Sequence, residues 1–252
     1  MLDPTKRFSN RVQNYLKYRP SYPPGVIALL ESECRLTANS SVADLGSGTG
    51  ILSELFLKRG NRVIGVEPNR EMRRAGDKLL ARYPKFSSID ARAEATTISD
   101  QSVDFVVAGQ SFHWFDREKS RTEFLRILKP GGWVAIMWNG FRVESSPINA
   151  AYQQLVLRYG TDYQEVTREI TRPEVESFYA PGSCKAAHFK FQQLFDFEAF
   201  QGRLLSSSYA PEPDHATYES MLRELREIFQ AHQKQGKVTF HYETELYYGQ
   251  LV

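Results

Sequence analysis

The stretch Asp44-Leu-Gly-Ser-Gly-Thr-Gly50 places three glycines, Gly46, Gly48 and Gly50, directly behind an acidic residue. Glycines so spaced permit a tight strand-to-helix turn and let a ligand approach backbone that a Cβ would block. Glu67 ends the next apolar run, 17 positions beyond Gly50. In a doubly wound sheet an acid there sits beside the first turn and can accept both hydroxyls of a ribose. These residue types point to a nucleoside-containing cofactor. A dinucleotide fingerprint reads G-x-G-x-x-G, with a helix N-terminus facing a pyrophosphate, whereas the spacing here is G-x-G-x-G. Asp44 would repel pyrophosphate but can bind an ammonium group directly or through water. S-adenosylmethionine carries that amine, a ribose and an adenine, and no phosphate. A P-loop is excluded because no Gly-Lys-Ser/Thr follows. The alternative is a glycine-rich turn with a purely structural role.

Other candidates cluster by position. Ser111-Phe-His113-Trp114-Phe115 follows the valine-rich run 103–109, at the sheet edge where ligands bind. His113 is the candidate general base, since its ordinary pKa lies near neutrality. His113 and Trp114 equally suit the wall of a substrate site, and a histidine held in an aromatic core is the structural alternative. The segment Tyr15-Leu-Lys-Tyr18-Arg19-Pro-Ser-Tyr22-Pro-Pro is aromatic and stiff. As a lid, Tyr15, Tyr18 and Tyr22 wall a cleft while Arg19 offers a planar fork to a carboxylate. As a structural edge, the same tyrosines pack on the sheet. Trp138, Asn139 and Arg142 close a later strand and could face the acceptor, with Trp138 also suited to the core. His188, His215, His232 and His241 lack ligand spacing with cysteines or acids, so no metal site is expected.

Alternating elements must position these groups. Strands are expected over 41–44, 62–67, 103–109 and 133–138, with helices over 51–58, 70–83 and 119–128 and a Lys-Pro-Gly-Gly turn at 129–132. Met72, Ala75, Leu79 and Leu80 share one helical face, and the basic run Arg70, Arg73, Arg74, Lys78 and Arg82 reads as its solvated side. Strands alternating with helices imply parallel β-α-β units in a three-layer α/β, doubly wound sheet. Beyond Asn139 the rhythm changes: a helix over 147–159 capped by Ser146, a strand over 185–192, a helix over 214–235 and an alternating strand from Val238 to Tyr248. The chain reads as one domain of 252 residues: an N-terminal lid (1–35), a cofactor-binding core (36–140), a helical cover (141–183 and 197–235) and closing strands (185–192 and 237–249).

Composition excludes several roles. Lys+Arg 32 against Asp+Glu 30 leaves a net charge of +2, too small a field to recruit nucleic acid or anionic lipid. No apolar run reads as a signal peptide or membrane span. Cys34 and Cys184 make no disulfide framework, which fits a cytoplasmic chain. A small-molecule substrate is the expected partner; a non-catalytic cofactor-binding scaffold and an enzyme acting on a macromolecule are the alternatives.

VADLGSGTG, RVIGVEPN, ARAEATTISDQSVDFVVAGQSFHWF and LKPGGWVAIMWN, in that order, resemble successive motifs of class I S-adenosylmethionine-dependent methyltransferases of the type 11 group. The resemblance covers about residues 8–140. With YRPSYP and SFHWF it is greatest to the trans-aconitate methyltransferase-like small-molecule enzymes, whose Rossmann-like sheet ends in an antiparallel strand. It implies methyl transfer by in-line displacement to a small acceptor, a carboxylate among the candidates. It further implies that Asp44, Gly46, Ser47, Gly48, Thr49 and Gly50 surround the methionine part of the cofactor, with Gln110 nearby. Glu67 matches the ribose acid, Pro68, Asn69 and Met72 its adenine-packing neighbours, and Ala93 and Glu94 the loop reading the adenine edge. Arg19 matches a position that takes the cofactor's own carboxylate. Arg92 stands where many relatives have Asp, so that side chain's adenine contact is not carried over.

Overall fold

The computed structural model describes residues 11–163 and 171–252. The parts of the expected lid and cover over 1–10 and 164–170 lie outside the described residues. Seven strands form one sheet: β1 (Ser41–Leu45), β2 (Arg62–Val66), β3 (Phe86–Ile89), β4 (Val103–Gly109), β5 (Leu128–Phe141), β6 (Cys184–Phe195) and β7 (Val238–Gly249). Their order is β3-β2-β1-β4-β5-β7-β6. The first five run parallel, and β7 lies antiparallel between β5 and β6. The chain winds outward from β1 to β3, then returns to β4 beside β1. That reversal opens a crevice outside the carboxyl ends of β1 and β4.

The described α-helices are α1 (Val12–Tyr18), α2 (Gly25–Cys34), α3 (Ile51–Leu57), α4 (Arg70–Leu80), α5 (Arg117–Ile127), α6 (Pro147–Tyr159), α7 (Arg172–Tyr179), α8 (Phe197–Leu205) and α9 (Tyr218–His232), with short 3-10 turns at Phe112–Trp114 and Val143–Ser145. Alternate strand residues serve opposite layers, as a period of two requires. Val42, Phe105 and Val107 pack with α2 and α3, while Ala43, Val106 and Ala108 pack with α5 and α7. A third apolar cluster, built on Tyr152, Phe200, Leu225, Phe229 and Phe240, joins α6, α8 and α9 to one end of β6 and β7.

Several expectations are revised. β3 was not foreseen: Phe86-Ser-Ser-Ile carries too little apolar signal, yet it pairs in register with β2 at the sheet edge. The proposed lid over 1–35 divides, because α2 buries Val26, Ile27, Leu30 and Cys34 in the core and only the segment before it can reach the cleft. The helical cover divides too. Val175, Phe178 and Tyr179 of α7 pack with Phe112 and Phe124 beside α5, on the sheet rather than over the site. Leu79 is 37% exposed, so the buried stripe of α4 is Met72, Gly76 and Leu80. The Lys129–Gly132 turn lies within β5, next to a register shift between Val103 and Phe105. Helix α9 is shorter than expected, whereas α6 has the expected bounds and its Ser146 side chain accepts from the Asn149 amide.

One packing contact fixes the N-terminal segment. Tyr18 is buried against Gly202 of α8, where an added Cβ would fall within 2.2 Å of the ring's Cδ2. Arg11, also buried, donates to the carbonyls of Ser207 and Ala210, both at 2.7 Å. Gly202→Ala is therefore expected to displace Tyr18 and α1, costing about 1–3 kcal/mol of stability as overpacking does. Thermal melting checks this: a drop of several degrees is expected, and an unchanged midpoint would refute the contact.

Candidate active site

The crevice at the switch point is a two-lobed cleft. The lobes enclose about 510 and 760 Å³, open solvent included, and share Tyr15, Gly46, Gly48, Gly109 and Gln110 in their walls. Volumes of this order accommodate a nucleoside cofactor with a small acceptor. At the cleft floor β1 hands over to the glycine turn. Gly46, Gly48 and Gly50 have φ of +69°, +56° and +84°, the left-handed region that strains other residues. The Gly46 and Ser47 amides donate to the Val66 carbonyl, which ties the turn to the end of β2.

The two acids differ in their surroundings. Asp44 is 1% exposed; its Oδ2 accepts from the Ser53 hydroxyl at 2.6 Å, and its Oδ1 has no hydrogen-bond partner. Burial pushes its carboxyl up to about 7, against the opposing Ser53 bond. Thr49, also on this lobe, has a buried hydroxyl without a partner. Buried polar groups are nearly always satisfied, so both are open to a ligand that enters this lobe. Glu67 Oε2 accepts from the Gly48 amide and Oε1 from the Asn69 amide, each at 2.8 Å. Burial raises its pKa, against these donors. Each carboxylate oxygen keeps a further lone pair for a hydroxyl.

The larger lobe is walled by Glu67, Pro68, Asn69, Met72, Arg92, Ala93, Glu94, Ser111, Trp114 and Phe115. Asn69 has a second duty: its side-chain oxygen accepts from the Glu71 and Met72 amides and so caps α4. Glu94 accepts from the Asp116 amide at the start of α5. Gln110 is held at φ +60°, donating its amide to the Met137 carbonyl and its side-chain nitrogen to the Asn139 carbonyl. A non-glycine residue in that region, fixed by two bonds at a cleft wall, is the kind of strain that functional sites retain.

The structure separates the substrate candidates. Tyr15, Arg19 and Tyr22 line the smaller lobe, with the Arg19 guanidinium 5.1 Å from the Tyr15 ring centre. Tyr18 does not line it, because its ring lies on Gly202 and its hydroxyl donates to Glu198. His113 is in a short 3-10 turn with its ring 4.7 Å from that of Trp114; Trp114 and Phe115 reach the cleft wall and His113 does not. Trp138 packs edge-on against Phe112 and Tyr247, in the core. Arg142 is ion-paired with Glu243 at 2.6 Å, away from the cleft walls. Asn139 does line the smaller lobe. Arg203 was missed by sequence reasoning: it lines the same lobe from α8, although nothing in its neighbourhood resembles a motif. Among the described residues no three His, Cys, Asp or Glu side chains converge for a metal, and no helix is long and apolar enough to cross a membrane.

A sheet with this switch point, an antiparallel β7 between β5 and β6, and acids at the ends of its first two strands has a Rossmann-like fold. Residues 43–136 match the family model described as a methyltransferase domain. The chain is similar to an uncharacterized methyltransferase of Schizosaccharomyces pombe, 33% identical over 135 residues, 53% of each chain. It spans about half the length of the first curated relatives that it matches. A protein from Anaeromyxobacter dehalogenans, described as a type II methyltransferase, has a similar structure: TM-score 0.68 at 23% identity, over 92% of this chain and 97% of that one. The S-adenosylmethionine-dependent methyltransferase of Geobacter sulfurreducens, solved with S-adenosyl-L-homocysteine, aligns over 100% of both chains at TM-score 0.55 and 15% identity. At these identities the solved structures show the fold.

Proposed function

We propose that this protein is an S-adenosylmethionine-dependent methyltransferase acting on a small-molecule acceptor, with a carboxylate as the favoured acceptor class. The observation that carries the reading is the buried, partnerless Oδ1 of Asp44 on the same cleft as the glycine turn and Glu67. Those two carboxylates are acceptors that suit an ammonium and a ribose, and they would repel a pyrophosphate at the glycine turn. Asp44 and Thr49 would hold the amino-acid end, Glu67 the ribose hydroxyls, and Met72, Ala93 and Phe115 the base.

Bound there, the cofactor supplies an activated methyl group on its sulfonium. The chain's own contribution is alignment and exclusion of water. Gln110, rigid between Met137 and Asn139, would position the junction of the two lobes, while Tyr15, Tyr22 and Pro20 cover the smaller one. Holding donor and acceptor in line removes much of the entropic barrier. A carboxylate acceptor needs no proton removed, which is consistent with His113 standing back from the wall. With Arg142 paired to Glu243, Arg19 is left as the sequence-predicted arginine that can meet the acceptor's charge on the smaller lobe.

Incubation with methyl-labelled S-adenosylmethionine and a panel of small carboxylic acids, phenols and amines tests the reading. Label transfer to a carboxylic acid is expected, with no loss on His113→Ala beyond about threefold. Transfer confined to phenols or amines, or abolished by His113→Ala, would overturn the carboxylate reading.

A further inference from the structure

One charged group on the smaller lobe has no part in the chemistry above. Arg203 is only 4% exposed and lines the lobe beside Arg19. Its Nε donates to the Tyr242 hydroxyl and its Nη1 to the Ser207 hydroxyl, both at 3.1 Å. Arg19 donates to the Ser206 hydroxyl at 3.0 Å, the Ser206 carbonyl at 3.2 Å and the Ser207 hydroxyl at 3.4 Å. Each of these partners is neutral. Among the described residues neither guanidinium has a carboxylate partner.

Two like charges on one wall, Arg203 buried and Arg19 half-buried, repel each other. Burial, and then the charge of Arg203, lowers the Arg19 pKa. A buried cation without a counter-charge is costly to keep. Behind the pair, the Tyr152 hydroxyl is fully buried without a hydrogen-bond partner, within electrostatic reach of both arginines. The lobe thus holds two planar donor forks met only by neutral acceptors. That is the complement of a carboxylate.

We propose that Arg203 is a second guanidinium fork beside Arg19 on the wall of the smaller lobe, and that it completes a carboxylate subsite and sets its charge preference. This rests on the methyltransferase reading, which offers two sources of the carboxylate: the amino-acid end of the cofactor, next to Asp44, or the acceptor. The same geometry serves either, and binding experiments tell them apart.

The probes are S-adenosylhomocysteine, its decarboxylated analogue, and succinate added to the S-adenosylhomocysteine-loaded protein. The variants are Arg203→Met, which keeps the length and apolar stem, and Arg203→Lys, which restores the charge. If the subsite takes the cofactor's carboxylate, Arg203→Met weakens S-adenosylhomocysteine at least 30-fold, leaves the decarboxylated analogue unchanged, and is partly rescued by lysine. If it takes the acceptor's, S-adenosylhomocysteine binds the variant as before, while the saturable rise in melting temperature with succinate disappears. Equal weakening of S-adenosylhomocysteine and its decarboxylated analogue would overturn the proposal, as would unchanged responses to both S-adenosylhomocysteine and succinate. Should Arg203→Met fail to fold, Arg19→Met carries the same readouts from the other member of the pair. Wild-type protein that binds no S-adenosylhomocysteine contradicts the methyltransferase reading itself, an outcome distinct from all of these.

Discussion

Asp44→Asn is expected to raise the melting temperature of the ligand-free protein at pH 8 while weakening S-adenosylhomocysteine at least tenfold. The carboxyl of an unfolded aspartate titrates near ~4, and in the folded protein Asp44 is pushed up to about 7. Between those values the folded state holds more protons than the unfolded chain, so stability falls as pH rises through that window. Above pH 7 the full penalty applies, on the order of 3–4 kcal/mol. An uncharged amide of the same shape escapes it, so the variant gains several degrees at pH 8 and little at pH 4. The same substitution removes a charge-assisted bond to the ligand ammonium, worth about 1.5–3 kcal/mol. Wild-type affinity should also decline as pH drops below 7 and Asp44 takes up its proton, while the variant is flatter. Parallel melting and calorimetry between pH 5 and 8 check this. A variant that is less stable at pH 8, or that binds as tightly as wild type, would contradict the assigned role.

Glu67→Ala is expected to cost about 100-fold in S-adenosylhomocysteine affinity. Two effects add. The ribose loses a carboxylate that can accept from both hydroxyls, and the Gly48 and Asn69 amides lose the acceptor that now fixes the turn. Each bond to a charged group contributes about 1.5–3 kcal/mol. The ribose contribution can be isolated with the 2′-deoxy analogue of S-adenosylhomocysteine. Wild type should bind that analogue at least tenfold more weakly than the parent, whereas Glu67→Ala should scarcely distinguish the two. An equal loss in both proteins would place the ribose elsewhere.

The cofactor half of the site was legible because its residues act close to where they stand in the chain. Gly46, Gly48 and Gly50 form one turn, Asp44 and Glu67 end adjacent strands, and buried parallel strands such as Val103–Gly109 declare themselves by continuous apolar runs. β3 was not legible because Ser87 and Ser88 dilute an edge strand that pairs on one side only. Trp138 and Arg142 were placed correctly at the end of β5, but which way each side chain points depends on partners far along the chain, Tyr247 and Glu243. Arg203 is the sharpest omission. Asp196 capping Phe197, Phe200 and Leu204 at helical spacing is a readable signal for α8. No local pattern says that α8 returns across the domain to rest on Tyr18 and set Arg203 beside Arg19. Substrate-side residues are contributed by such long-range packing, so the acceptor is less legible than the cofactor.

On this reading the cleft between β1 and β4 holds S-adenosylmethionine. Isothermal titration of the wild-type protein with S-adenosylhomocysteine at pH 8, alongside a nicotinamide dinucleotide, tests it most directly. One S-adenosylhomocysteine should bind per chain, saturably and at least tenfold more weakly in the Asp44 and Glu67 variants, with no heat from the dinucleotide. Saturable binding of the dinucleotide with none of S-adenosylhomocysteine would contradict it.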